Sequence, residues 1–435
     1  MACGVPSLMH ERVNNPVTHA TPLWTCPFCS LLCDTFGLHD ADRPRLTGSN
    51  CPRAIAGLAH QAKPIMAPTP WVDGAPASWD DALAAAASRL ARWHQPLLAG
   101  LGTDVAGARA LCRLALLIGA IVDHADGDTL LHGMRAMQDR GQYTATLSEI
   151  HARAELIVCV GTTAIARFPE FFRRIGLGTG GACRRLVFLG VEPPQALPVG
   201  IKVDALPGSN DLHADVQQLA AGVAGQRVRP TNTALAALAA DLRSAPYSVL
   251  VWEAGALPAQ GALIVEGLNR IVGALNRTTR AATCPLGGSD GGYTAQQVMT
   301  WLSGLPMRTR AGPAGLEHDP VRFATARLMA DRAADGLLWV SSFDPTRLPP
   351  TGELPGIVLG PPAMAAHLRA AGQLDPHVFL PVATPGINAP GHLFRTDIIV
   401  VVPLQAVRDD GLPGVAELIT NLGARMGERM GATPT

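Results

Sequence analysis

The chain has 435 residues, 48% of them hydrophobic and 16% charged, with 35 basic against 35 acidic side chains. That much apolar sequence excludes a disordered protein, and the absence of net charge gives no reason to expect nucleic acid or an anionic membrane as a partner. No apolar run reaches the roughly 20 residues of a membrane helix, residues 1–21 lack an apolar core followed by a cleavage site, and a cytoplasmic location is the default expectation.

Residues 1–75 read as a polar tail and a cysteine-rich segment. Pro64, Pro68, Pro70 and Pro76 then mark a linker-like stretch. Ser78 lies three residues before Asp81, the spacing of a capping box, and opens a helix whose apolar stripe is Leu83, Ala87, Leu90 and Ala91. Further helices are predicted over 106–118, 212–224, 231–242 and 260–275. Short apolar runs at 156–160, 186–189, 249–252, 337–340, 357–359 and 398–402 read as buried strands. Continuous apolar strands alternating with helices predict an α/β fold of parallel sheets covered on both faces. Two blocks are expected, 76–225 and 226–435.

Four of the nine cysteines are clustered: Cys26-Pro-Phe-Cys29-Ser-Leu-Leu-Cys33, then Cys51. Three closely spaced thiolates and one remote one can wrap a 4Fe–4S cluster, which takes four Cys ligands. Zinc is the rival metal, although its usual pattern is a pair of C-x-x-C knuckles. Four ordinary buried cysteines are the bland alternative. Cys112 and Cys159 sit in apolar surroundings and read as core residues. Gly287-Gly288-Ser289-Asp290-Gly291-Gly292 reads as a flexible turn, because no Lys-Ser/Thr follows it as in a phosphate loop.

The Cys quartet followed by Val72-Asp-Gly-Ala-Pro-Ala-Ser78-Trp79-Asp80-Asp81-Ala82-Leu83 resembles the start of a molybdopterin oxidoreductase. Within that superfamily the chain resembles the B-type subunits of formylmethanofuran dehydrogenases. The motifs are Asp128-Thr-Leu-Leu131-His132-Gly133 with Thr146-Leu147-Ser148-Glu149, Trp301-Leu-Ser-Gly304-Leu-Pro306, and Gly386-Ile387-Asn388 followed by Gly391-His-Leu-Phe-Arg395-Thr-Asp397. The resemblance implies a body of Rossmann-like parallel-sheet domains behind a small cysteine-rich segment. It implies Cys26, Cys29, Cys33 and Cys51 as iron–sulfur ligands.

Several positions depart from the redox-active pattern. There, a Cys or selenocysteine before His-Gly ligates molybdenum or tungsten; here Leu131 precedes His132-Gly133, and leucine has no lone pair to offer. His132 reads more readily as a packed residue than as a ligand. The Gly-x-Asn-Pro loop and its later His-Pro are replaced by Gly161-Thr-Thr163-Ala164 and Phe168-Pro169. A residue is inserted near Asn210, before Asp211. Arg53 stands where a Lys follows the last cluster Cys, and Asn388 stands where a Glu is usual. The expectation is therefore that molybdopterin or tungstopterin is absent and the oxidoreductase chemistry lost. The family then implied is that of the B-type subunits of methylotroph formyltransferase/hydrolase complexes. The implied partners are an amidohydrolase-type subunit, a formyltransferase-type subunit and a further small subunit. The implied pathway is tetrahydromethanopterin-linked conversion of formaldehyde to formate. The alternative is an active dehydrogenase subunit with a molybdenum or tungsten bispterin centre and a 4Fe–4S cluster.

Overall fold

The computed structural model describes residues 23–63, 68–226, 232–352 and 354–431. The tail expected over 1–21 lies outside these, as do Pro64 and Thr231. A three-stranded antiparallel sheet (Leu23–Trp24, Phe36–His39, Arg45–Thr47) and the helix Pro52–Ala59 form a cysteine-bearing cap. Behind it lie two large sheets.

One sheet has five parallel strands in the spatial order Lys202–Leu206, Arg185–Leu189, Leu156–Val160, Tyr247–Glu253, Arg280–Leu286. The other has nine. Its centre is the parallel run Pro96–Gly102, Gly336–Ser341, Gly356–Gly360, His377–Pro381, with short antiparallel hairpins at both edges. The central strands are buried along their whole length, as expected of strands covered on both faces. The helix after Ser78 runs Trp79–Leu90, and Ser78 Oγ accepts the Asp81 amide at 3.1 Å.

Two expectations need correction. The sheets do not divide at residue 225. Leu156–Val160 pairs with Tyr247–Glu253, and Pro96–Gly102 pairs with Gly336–Ser341. The five-stranded unit is inserted in the chain of the nine-stranded one. Hydrophobic period identifies strands but not their partners, so a sequential division could not see the insertion. The run 398–402 is not a buried strand. Ile398 takes a left-handed conformation (φ 56°), and Val401–Leu404 forms an edge hairpin with Gly391–Phe394 whose Val401 is exposed.

The carboxyl ends of both parallel sheets face a common cleft. The chain crosses it on leaving Leu286, through a loop ending at Gly291 (φ 75°) and into the helix Gly292–Ser303. A Cβ at Gly291 would lie 2.4 Å from the Thr103 carbonyl, so only glycine fits where the two units meet.

His377 begins a central strand and is buried, and its Nδ1 has no hydrogen-bond partner among the described residues. Burial, with Arg89 beside it, lowers its pKa from 6.5 to about 4. The folded state therefore favours neutral imidazole. Its contribution to stability is full above about pH 6.5 and lost as pH falls toward 4, by about 1.4 kcal/mol per unit. Urea midpoints are expected to fall across that window in the native chain. In His377→Leu the slope flattens; an unchanged slope would contradict the assignment.

Candidate functional site

Cys26, Cys29 and Cys33 lie on the loop between the first two cap strands, and Cys51 immediately precedes the helix Pro52–Ala59. The Cys26 amide donates to the Cys33 carbonyl (2.9 Å) and the Leu32 amide to Cys29 (3.1 Å), which closes the loop. All four thiols are buried, among Phe28, Leu31, Phe36, Ala54 and Leu58. Burial raises the Cys26 pKa, and Cys29, Cys33 and Cys51 each raise it further by their charge. Burial likewise pushes Cys29 up to about 11. The four sulfurs are thus near enough to act on one another. Buried thiols such as Cys26 and Cys29 stay protonated unless a metal replaces the proton. Among the described residues no three or more His, Cys, Asp or Glu side chains converge on one metal-ion position. A zinc ion would draw the sulfurs to about 3.8 Å of one another.

The cap is tied to the body by hydrogen bonds from distant segments. Trp24 Nε1 donates to the Gly386 carbonyl (2.7 Å), and Ser30 Oγ to Gly287 (2.5 Å). The Thr396 amide donates to the Ser30 carbonyl (2.7 Å) and its hydroxyl to Pro285 (2.8 Å). On either side of Thr396, Arg395 and Asp397 form a buried ion pair, Nε to Oδ2 at 2.8 Å. Asp397 also accepts the Leu147 amide at 3.2 Å.

Beside the cap lies a cavity of about 400 Å³. Its walls are the 286–290 loop and six charged side chains: Arg53, Arg167, Arg347, Asp126, Glu253 and Asp290. Arg347 holds Asp126 at 2.9 Å and lies 3.6 Å from Asp290. Arg167 pairs with Glu253 at 3.1 Å, and Thr162 Oγ1 donates to the same carboxylate at 2.6 Å. Burial alone would raise the Asp126 carboxyl, yet the Arg347 hydrogen bond and His124 hold it below its ordinary value. Burial raises Asp290, and Arg347 and Arg53 only partly oppose this. His124 accepts the Asp126 amide at Nδ1 (2.9 Å), which leaves the proton on Nε2, 3.4 Å from the Asp290 carbonyl. Its burial lowers its pKa and keeps the ring neutral.

The structure separates the positions singled out in the sequence. Arg53 and Phe168 line the cavity; Leu131, His132, Thr163, Ala164 and Asp211 do not. Leu131 is buried within the helix Gly127–Arg140, and His132 packs against Gly261. The residue of that helix turned to the cavity is Thr129, whose hydroxyl already donates to the Asp126 carbonyl (2.9 Å). Ala164 has φ 64°. Proline is locked near −65°, so this loop cannot be the one that carries Pro there. Asp211 caps the helix Leu212–Val223, and Asn388 is bound to the Thr384 amide and Asp410. Sequence reasoning missed Arg167, Glu253 and Arg347 as cavity residues. The one available signal was the glycine-rich run at 287–292, which leaves a strand end and lines the site.

Fold and site together define an α/β protein of two parallel-centred sheets whose carboxyl ends meet at a charged cleft beneath a cysteine-rich cap. No protein-family model matches the chain. It is 30% identical over 366 residues to the B component of the formyltransferase/hydrolase complex of Methylorubrum extorquens, covering 83% of this chain and 97% of that one. It is similar to a chain in the crystal structure of that organism's formyltransferase/hydrolase complex with methylofuran (TM-score 0.70, 29% identity, 83% of this chain and 100% of the other). The B component of the tungsten-containing formylmethanofuran dehydrogenase 2 of Methanocaldococcus jannaschii is 22% identical over 414 residues, 87% of this chain and 91% of that one. The chain belongs to the family of B components of formyltransferase/hydrolase complexes, with those of formylmethanofuran dehydrogenases as more distant relatives.

Breaking the Arg395–Asp397 pair from one side leaves a buried unpaired charge, which costs about 3–5 kcal/mol. Asp397→Ala is expected to lose stability on that scale in chemical denaturation. Arg395→Met with Asp397→Leu together should lose much less. Equal losses in the two would sink the account.

Proposed function

We propose that this chain is a non-redox structural subunit of a formyltransferase/hydrolase complex in tetrahydromethanopterin-linked one-carbon metabolism. Its molybdopterin-oxidoreductase-like body derives from the catalytic subunit of a formylmethanofuran dehydrogenase. The observation that carries the proposal is the cavity wall. It offers no thiol, selenol or imidazole, and the position where a relative's metal ligand is expected, Leu131, lies inside a helix away from it. A cavity of about 400 Å³ is the size of a small-ligand site. These residues do not fit a molybdenum or tungsten pterin centre. Transfer and hydrolysis of formyl groups fall to other subunits, of formyltransferase and amidohydrolase type, with a further small subunit, in the cytoplasm. No helix among the described residues is long and apolar enough to cross a membrane.

Within that role, Cys26, Cys29, Cys33 and Cys51 fit a 4Fe–4S cluster: four buried, mutually interacting thiols inside an apolar shell. Such a cluster would supply electron transfer in a redox relative. In this chain the four thiolates would brace the cap loop.

Metal analysis of the complex purified without oxygen tests both parts. About four iron atoms per chain are expected, without stoichiometric molybdenum or tungsten. Molybdenum or tungsten near one per chain would overturn the non-redox assignment, whereas absence of iron would overturn only the cluster. Leu131→Cys is expected to leave molybdenum and tungsten content unchanged. Deleting the chain is expected to prevent co-purification of the hydrolase-type and formyltransferase-type subunits; their intact assembly without it would refute the structural role.

A further inference from the structure

Cys33 and Cys51 stand at the open end of a hairpin. The cap strands Phe36–His39 and Arg45–Thr47 pair from His39–Arg45 to Gly37–Thr47, and their pairing ends there. A short helix of the five-stranded unit, Phe171–Arg174, lies across this opening and holds both arms. On one arm, Arg174 forms an ion pair with Asp34 at 2.5 Å, next to Cys33. On the same arm the Arg173 guanidinium lies 5.3 Å from the centroid of the Phe36 ring. On the other arm, Glu170 accepts Ser49 Oγ at 2.6 Å, and Ser49 Oγ in turn accepts the Cys51 amide at 3.0 Å. The second oxygen of Glu170 pairs with Arg173. The order of these bonds is forced. A hydroxyl has one proton; Ser49 gives it to the carboxylate and keeps a lone pair for the Cys51 amide. The Glu170 and Arg174 side chains are only 15% and 14% exposed. Glu170 also raises the pKa of Cys33, behind burial and Cys29, so its carboxylate stands near both cysteine segments.

We propose that Glu170, Arg173 and Arg174 form a positioning clamp that sets the separation of Cys33 from Cys51 and so presents four thiols to one metal centre. Cys26, Cys29 and Cys33 share one loop, closed by the Cys26 amide on the Cys33 carbonyl, and need no such help. Cys51 belongs to another segment. Its place relative to that loop depends on Ser49 and, through Ser49, on Glu170. Groups that hold metal ligands in place in this way typically change metal affinity by about 10–100-fold. The cap thus carries all four thiols, while the spacing of the last two comes from the five-stranded unit. The inference rests on the 4Fe–4S reading for the identity of the metal, not for the placement of the thiols.

Thiol alkylation of the full-length chain, reduced and freed of metal by a chelator, tests the clamp, with each labelled cysteine assigned by peptide mass. Buried thiols react through local opening, so their rates report how firmly each is held. Ser49→Ala is expected to speed labelling of Cys51 about tenfold, the usual size of a lost charge-assisted contact, and to leave Cys26 and Cys29 unchanged. Ser49→Thr keeps the hydroxyl and should restore the native rate. Arg174→Gln should act on Cys33 more than on Cys51. Unchanged rates in these variants, or an equal rise at all four cysteines, would overturn the clamp. Release of iron to a chelator from the chain purified without oxygen separates the clamp from the cluster. Ser49→Ala is expected to release its iron about tenfold faster than the native chain. Iron held equally long by both would also overturn the clamp. Absence of iron from the native chain would overturn the cluster alone, and the alkylation pattern would still decide the clamp.

Discussion

One buried ion pair holds the molecule's parts in register. Arg395 and Asp397 are almost wholly removed from water, and Asp397 also accepts a backbone amide at Leu147. Between them, Thr396 donates in one direction to the cysteine loop at Ser30 and in the other to the strand end at Pro285. A buried pair of this kind adds little net stability compared with apolar side chains of the same size, because desolvating both ions costs nearly what their attraction returns. Its value is geometric. Each donor must be met, so the cap, the five-stranded sheet and the helix Leu147–Arg153 have one permitted arrangement.

That constraint leaves the loops that face the cleft free to change while the body persists. Ala164 adopts a left-handed conformation that proline cannot share. Thr162 and Arg167 are used to hold Glu253, and Arg347 holds Asp126. Gly161 is retained for a bland reason: it has φ 64°, and a Cβ there would meet Leu212 at 2.6 Å. None of these changes touches the Arg395–Asp397 staple or the sheet cores. Cofactor contacts are made by loop residues, whereas sheet register is set by buried strands, so the two can evolve separately.

Much of this was legible in the sequence, because it depends on local patterns. The cap at Ser78, the strand Leu156–Val160 and the helices 105–118 and 261–275 follow from side-chain period and turn chemistry. The Cys quartet is visible as a spacing, and its thiols lie near enough to feel one another's charge. Asp344, which precedes Pro345, accepts the Thr346 amide and hydroxyl on its carboxylate at 2.8 and 2.7 Å, the behaviour of a turn cap. What could not be read depends on partners far apart in the chain. No periodicity says that Pro96–Gly102 lies beside Gly336–Ser341, or that Arg167 and Arg347 face the same cavity. The exposed hairpin at 401–404 misled because an apolar run looks the same whether it is buried or lies on an edge.

The cap and the cleft are physically one system. Ser30, between two of the clustered cysteines, donates to Gly287, and Gly287 opens the loop that ends in Ser289 and Asp290. Arg53 follows the last cysteine by two positions and lowers the pKa of Cys29 from across the same wall, against the dominant effect of burial. A change of charge on the thiols would therefore be felt at Arg53, and a change of charge in the cavity would be felt at the thiols. The members of this path also carry the packing: Ser30 anchors the loop, and Cys51 and Ala54 are core residues on either side of Arg53. Structural duty is by itself a sufficient physical reason for the cysteines and their wiring to be kept.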